Sequence, residues 1–289
     1  MLGEPGRCEK GVSQSRGAPF SFVHSRRVTE PAGRATIDLN ADVGESFGAY
    51  RIGADAGLMK VITSANVAAG FHAGDPSVLR ATVKLAKAHG VAVGAHPGFP
   101  DLAGFGRRDM HVSPREAEDL VLYQVAAVAG VVAAEGVRMQ HVKPHGALFN
   151  MAAADPALAA AIARAVAAFD RSLILFGPPG SALIQEGRAA GLRVAREGFA
   201  DRAYEPGGRL LSRSVSGAVI DDVDAVVRRA RQMAVERSVT AIDGSTLSLD
   251  VETICLHGDT PGSDGLAARL RAGLEAAGVI VQAIGAHHS

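Results

Sequence analysis

The sequence predicts a parallel α/β barrel, and two patterns in its 289 residues indicate that fold class. Short apolar runs alternate with helical segments, and strands joined by helices pair in parallel through right-handed connections. Several of the apolar runs end in ionisable residues, as at His96, His145 and Asp201. Because the carboxyl ends of barrel strands meet at one rim, we expect these side chains to form an active site there.

The apolar runs give seven or eight strand–helix units, and the pattern alone leaves open how completely the barrel closes. Each run carries Val, Ile, Leu or other apolar residues over a length typical of a buried strand. The predicted strands are residues 36–40, 61–65, 91–95, 139–143, 173–176, 193–196, 253–256 and 279–283.

Helix-start signals lie between these strands. Asp75 and Asp155 each precede a proline, which is a common first helical residue. Ser113 is followed three residues later by Glu116, the spacing of a capping box. The predicted helices are residues 77–89, 113–135, 155–169, 180–190, 220–236 and 264–277.

Composition and cysteine content indicate a cytoplasmic protein with no net charge. Thirty basic and thirty acidic residues give zero net charge, which argues against nucleic acid or an anionic membrane as a partner. No apolar run approaches the roughly 18 residues that a membrane helix needs. Cys8 and Cys255 are the two cysteines, and their positions argue against a disulfide between them, which favours a reducing compartment.

Residues 1–35 differ in composition from the rest of the chain. This segment is rich in Gly, Pro, Ser and Arg and shows neither a helical nor a strand period. We predict a disordered extension at residues 1–35, with a docking arm for a partner as the alternative, and a single barrel domain at residues 36–289.

Polar residues are concentrated in residues 37–75. Asn40, Asp42 and Glu45 lie within or just after the first strand, where they could act as oxygen ligands or acid–base groups. An Asx-turn or a helix cap is the alternative for Asp42 and Glu45. His72 is bracketed by glycines that let the backbone bend and present the imidazole. Asp75 is expected to be a helix N-cap.

A second group of candidates follows the third and fourth strands. His96 ends one strand, and His141, Lys143 and His145 alternate along the next. If the strand continues through Pro144, alternation directs these three side chains to one face. Because all three are basic, that face must then be water-filled or negatively charged. His141, the earliest, is expected to be structural.

Two further candidate positions lie near the later strands. Arg202 beside Asp201 could form a structural ion pair or a clamp for a carboxylate. His257 and Asp259 flank a glycine just after the strand at residues 253–256.

These residues could hold a divalent metal through an aspartate and two histidines that converge from separate strands. The sequence contains neither a Gly-x-x-x-x-Gly-Lys-Ser/Thr phosphate loop nor a Gly-x-Ser-x-Gly nucleophile elbow. We therefore expect no nucleotide cradle or serine nucleophile of those types.

Six ordered motifs resemble the LamB/YcsF family of 5-oxoprolinase A subunits, over residues 35–283. The motifs are DLNADVGESFG, ANVAAGFHAGDP, GAHPGFPD, VKPHGALFN, FADRAY and LHGD. The resemblance implies a distorted seven-stranded TIM-like barrel of the glycoside hydrolase/deacetylase type. It also implies ATP-dependent opening of 5-oxoproline to L-glutamate together with two further subunits, B and C, and leaves a homodimer open.

The resemblance also implies roles for the residues that match its motifs. The implied catalytic residues are Asp42, His72, Lys143 and His145, and the implied substrate-binding residues are Asn40, Glu45, Asn66, His96, Arg202, His257 and Asp259. The cofactor implied by the resemblance is ATP, used by the assembled complex. By analogy with related deacetylases, Asp42, His72 and His145 would be the ligands of a divalent metal.

In the implied chemistry, Asp42 or His72 acts as the base. Lys143 contacts the reacting amide, and Arg202 binds the substrate carboxylate. Family members often carry cysteine where this chain has Ala41 and Ala69, so a thiol nucleophile at these positions is excluded. The alternatives are a stand-alone metal-dependent deacetylase or amidohydrolase, and a non-catalytic protein that presents substrate to its partners.

Overall fold

The computed structural model describes residues 34–213, 215–256 and 262–285. Seven parallel strands close into a barrel, because the last of them pairs both with the sixth and with the first. The barrel strands are β1 Thr36–Val43, β2 Ser64–Ala68, β3 Ala92–His96, β4 Met139–Val142, β5 Ile174–Gly177, β6 Arg193–Phe199 and β9 Thr253–Leu256. The predicted TIM-like fold class is therefore confirmed.

The remaining strands lie outside the barrel closure. A short antiparallel hairpin consists of β7 Ser238–Thr240 and β8 Thr246–Ser248. The predicted strand at residues 279–283 is reduced to β10 Ile280–Val281, which pairs with the start of β1. The peptide N–H of Ile280 donates a hydrogen bond of 2.8 Å to the carbonyl of Ala35, so strand pairing begins at that residue. Residues 1–33 of the predicted extension lie outside the described residues.

The second strand lies three residues later than predicted. The amides of Val61 and Ile62 both bond to the carbonyl of Leu58, so these apolar residues belong to the turn that follows a short helix. Strand β2 therefore begins at Ser64, which pairs with Asn40 of β1.

Helices cover the outside of the barrel. They are α1 Asp55–Leu58, α2 Pro76–His89, α3 Pro114–Ala134, α4 Gly146–Ala154, α5 Pro156–Phe169, α6 Ala182–Ala189, α7 Val223–Arg231 and α8 Ser263–Ala276, with a π-helix at Gln232–Glu236. Asp75 accepts from the amides of α2, and Ser113 and Glu116 form the predicted capping box of α3. Two helices, α1 and α4, were not predicted.

Contrary to the expectation from the sequence, helix α3 is long and apolar enough to cross a membrane by length and composition. In the structure it is a barrel helix, because Val121, Val125, Val128 and Val132 are buried in the core. The core lies mainly between strands and helices, where the outward residues of β1, such as Leu39, are fully buried. The inward residues of β1 are polar, and they lead to the carboxyl rim.

Candidate active site

Strand β1 supplies a column of polar side chains inside the barrel. Asp38, at the bottom, accepts hydrogen bonds from the hydroxyls of Thr63 (2.6 Å), Ser64 (2.7 Å) and Thr253 (2.5 Å). Burial raises the pKa of Asp38 to about 6, against the lowering effect of these hydroxyls. Asp38 is thus part of the barrel floor.

Two amides form the next layer. Asn40 donates to Glu197 Oε1 at 2.9 Å, and Asn66 donates to Asp42 Oδ1 at 2.9 Å. His141 Nε2 lies 2.8 Å from the side-chain oxygen Oδ1 of Asn66 and therefore donates to it. Asn40 and Asn66 are fully buried and do not line the cavity above them. The structure thus places these two predicted substrate ligands as supports for the carboxylates.

Lys143, just after β4, joins both carboxylates above this layer. Its Nζ lies 2.9 Å from Asp42 Oδ1 and 2.9 Å from Glu197 Oε1. It also lies 2.8 Å from the Cys255 sulfur and 3.2 Å from Asn40 Oδ1. Burial opposes the charge of Lys143, but the Asp42 carboxylate and its neighbours outweigh burial and raise the pKa well above its ordinary value.

The ammonium of Lys143 therefore has four partners for three protons. In the structure Lys143 fixes the positions of Asp42 and Glu197. Its predicted contact with the reacting amide of the substrate stays a prediction. Glu197 was not among the predicted site residues, because its pairing with β1 and β4 is visible only once the barrel closes.

A second group contains three imidazoles and one carboxylate. One ligand atom from each of Glu45, His72, His96 and His145 lies within 4.8 Å of the other three. The rings of His72 and His145 stack at 3.8 Å with an interplanar angle of 6°. All four residues are buried. We call these four residues the histidine cluster.

Hydrogen bonding fixes the tautomers of two of these rings. His145 Nε2 lies 2.8 Å from the carbonyl oxygen of Phe105, and His96 Nδ1 lies 2.7 Å from the carbonyl oxygen of Lys143. A carbonyl only accepts, so both nitrogens carry hydrogen. In the neutral rings, the lone pairs of His145 Nδ1 and His96 Nε2 then face each other across 2.9 Å.

Two opposed lone pairs repel unless a proton or a metal ion lies between them. Burial lowers the pKa of His72 and His145 well below the ordinary value, and neighbouring imidazoles lower it further. Neither ring nitrogen of His72 has a hydrogen-bond partner among the described residues. A set of neutral imidazoles and one carboxylate suits a divalent transition metal such as Zn²⁺. The histidine cluster therefore fits a metal ion.

The ligand set differs from the one expected by analogy. His72 and His145 belong to it as predicted, but Glu45 and His96 complete the cluster. Asp42 Oδ1 bonds to Lys143 Nζ and also lies 3.3 Å from His96 Nε2 of the cluster. The structure thus separates a metal-type cluster from a carboxylate–ammonium group, with Asp42 adjacent to both.

Glycines and one glutamine allow the imidazoles to pack this closely. A Cβ atom at Gly98 would lie 2.6 Å from His72 Nδ1, so no larger residue fits there unless the ring moves. Gln124 of α3 accepts from the amide of Gly98 and donates to its carbonyl, both at 2.9 Å. The loop after His96 is therefore held from the helix side.

A cavity of about 760 Å³ opens above both groups. Its charged or aromatic lining includes Asp42, His96, Lys143, His145, Glu197, Phe199, Tyr204, Arg107 and Arg213. Predicted residues Glu45 and His72 lie beside the cavity but do not line it. Predicted residues His257 and Asp259 lie outside the described residues.

Arg202 lines the cavity but is held by backbone carbonyls. Its Nε donates to Ala218 at 3.2 Å, and one Nη donates to Leu211 at 2.6 Å. Burial, with a contribution from Arg213, lowers the pKa of Arg202 to about 10. This edge of the guanidinium supports the loop between these residues, and the clamp for a substrate carboxylate stays a prediction.

Comparison with known proteins gives a consistent match. The model of the LamB/YcsF family matches residues 37–289. The chain is 58% identical over 250 residues to the 5-oxoprolinase A subunit of Symbiobacterium thermophilum, covering 86% of this chain and 96% of that protein. It is 55% identical to the 5-oxoprolinase A subunit of Methylococcus capsulatus, with the same coverage.

Solved structures agree on the fold. A lactam utilization protein from Thermus thermophilus superposes with a TM-score of 0.82 at 48% identity, covering 86% of this chain and all of that one. A protein from Enterococcus faecalis described as a putative cellobiose-phosphate cleavage protein has a TM-score of 0.50 at 15% identity, covering 86% and 97%. At that identity the second likeness concerns the fold alone.

Proposed function

The chain belongs to the LamB/YcsF family, and from that membership we propose that it is the A subunit of an ATP-dependent 5-oxoprolinase. The reaction opens the lactam of 5-oxoproline to L-glutamate with hydrolysis of ATP, and two further subunits take part. The observation that carries the proposal is the 58% identity to a 5-oxoprolinase A subunit over 96% of its length. A cytoplasmic location follows from the use of ATP.

The candidate site offers groups that suit lactam opening. A lactam is a stable amide, so its carbonyl carbon must be activated, here by phosphorylation of the amide oxygen by ATP. Water then needs a base, and the Asp42 carboxylate lines the cavity with its position fixed by Lys143 and Asn66. A divalent cation in the histidine cluster would supply Lewis acidity toward an oxygen of the substrate.

The test is glutamate release from 5-oxoproline, measured with this chain alone and with the three-subunit mixture, each with and without ATP. We expect ATP-dependent release from the mixture and little from the isolated chain, which lacks a phosphate loop of the Gly-Lys-Ser/Thr type. No release from the mixture would overturn the proposed function. Strong ATP-coupled release from the chain alone would contradict the need for partners.

The histidine cluster favours a second candidate, a stand-alone metal-dependent amidohydrolase. Its buried Glu45 and three imidazoles suit a catalytic metal. Metal analysis of the purified chain, with hydrolysis of acetylated sugars and acyl amides in the absence of ATP, distinguishes the two. ATP-independent turnover that chelation removes would support this candidate over the first.

A further inference from the structure

Glu197 of β6 has one oxygen in use and one without a partner. Its Oε1 accepts from Asn40 Nδ2 and from Lys143 Nζ, both at 2.9 Å. Its Oε2 is buried and has no hydrogen-bond partner among the described residues. Glu197 nevertheless contributes to the cavity wall. Oε2 is therefore the carboxyl oxygen of this cavity-wall residue that no described neighbour engages.

The charges around Glu197 favour a proton on that oxygen. Asp42 and Glu197 both contact the ammonium of Lys143, so ionising both carboxylates would place two like charges close together in a buried place. Burial raises the pKa of Glu197, although Lys143 acts against this. A protonated Oε2 removes one of these two charges and turns the unpartnered acceptor into a hydrogen-bond donor.

A proton donor is what the proposed reaction requires after water has added to the activated lactam. The carbon then carries the ring nitrogen, the phosphoryl-bearing oxygen and the oxygen that came from water. Phosphate is a far better leaving group than an unprotonated amine. Loss of phosphate from this intermediate returns the lactam and wastes the ATP, whereas loss of nitrogen opens the ring.

We propose that Glu197 is the general acid that protonates the departing ring nitrogen and so directs the intermediate toward ring opening; the inference rests on the proposed function. As the oxyanion re-forms a carbonyl, the carbon–nitrogen bond breaks and its electron pair takes the proton from Oε2. The products of this step are the free amine, an acyl phosphate and the Glu197 carboxylate. A second water then splits the acyl phosphate into carboxylate and phosphate.

Glu197→Gln tests this in the three-subunit complex. Glutamine keeps an oxygen that can accept from Asn40 and Lys143 and loses only the acidic proton, so the fold should persist. We expect glutamate release to fall at least about 100-fold, the scale for loss of a general acid. ATP-dependent phosphate release should continue, so the ratio of phosphate to glutamate should rise far above its wild-type value.

Isotope exchange gives a second readout. In ¹⁸O-labelled water, the Glu197→Gln complex should place ¹⁸O in the carbonyl of the recovered 5-oxoproline, because the intermediate loses phosphate instead of nitrogen. Glu252→Gln is the matched control, since that carboxylate pairs with Arg196 and lies outside the 760 Å³ cavity. The control should keep the wild-type ratio and show no added exchange.

The outcomes separate the two proposals. If wild-type complex releases no glutamate, the proposed function fails and the role of Glu197 fails with it. If wild-type complex is active and Glu197→Gln lowers glutamate and phosphate release together, without ¹⁸O exchange, Glu197 is a structural residue. Full activity in Glu197→Gln would also overturn the inference. If thermal melting shows that Glu197→Gln does not fold, Glu197→Asp is the substitute. Aspartate keeps the acidic group but holds it farther from the cavity, so the ratio of phosphate to glutamate should again rise.

Discussion

Asp38 should make the unfolding free energy of this barrel depend on pH. Its carboxylate is buried at 1% exposure and is held by three hydroxyl groups. The hydroxyls offset only part of the cost of burying the charge, since the pKa is raised to about 6. The folded protein therefore binds a proton here between about pH 4 and 6 that the unfolded chain has released.

This difference predicts a direction for the pH dependence. Because the folded state binds more protons in that window, the stability that Asp38 contributes is present below about pH 4 and is lost as the pH rises through about 6. A shift of two units corresponds to about 3 kcal/mol. The unfolding free energy of wild type minus that of Asp38→Asn should fall by roughly this amount between pH 4 and 7.

Chemical denaturation at several pH values measures this difference. Asp119→Asn, on the exposed side of α3, is the control and should track wild type across the range. Parallel curves for wild type and Asp38→Asn would show that folding does not raise the pKa of Asp38.

At the scale of elements, local signals in the sequence predicted helices and most strands. The caps at Asp75 and Ser113 were predictable because a cap bonds to amides only a few residues away. Strand β2 was misplaced because Val61 and Ile62 look like strand residues but bond to Leu58. The site residues from β1, β3 and β4 were predicted, but Glu197 was not, because its bonds join residues more than 50 positions apart.

Helix α3, although largely apolar, supports the site through one polar residue, Gln124. Gln124 is fully buried and bonds to both backbone groups of Gly98, and its Nε2 also lies 3.0 Å from the carbonyl of Leu120. Gly98 in turn packs against His72. The helix thereby holds the loop that places the histidine cluster.

We predict that Gln124→Leu destabilises the fold and disturbs the site. Each buried backbone group of Gly98 left unpaired should cost about 1–3 kcal/mol of unfolding free energy. Glutamate release by the complex should also fall, because the loop after His96 loses its support. Gln185→Leu, at an exposed position of α6, should change neither quantity appreciably. Equal stability of the two variants would show that the Gly98 contacts contribute little.

At the scale of the whole molecule, the described chain begins where the barrel begins. The carbonyl of Ala35 already bonds to Ile280, and Thr36 and Ile37 pair with β10. Ile37 is 1% exposed and belongs to the hydrophobic core. We therefore expect that the residues before the barrel can be deleted without loss of stability, and that deleting a few residues more destabilises the fold.

Two truncations test this boundary. Deleting residues 1–33 should leave the melting temperature unchanged, because every contact of Ala35 and Ile37 is kept. Deleting residues 1–37 removes the pairing of β1 with β10 and the buried Ile37 side chain, whose loss alone should cost about 2–5 kcal/mol. For a domain of this size that corresponds to a drop of several degrees. A comparable drop on deleting residues 1–33 would mean that the extension packs against the barrel, and that the predicted division at residue 35 is wrong.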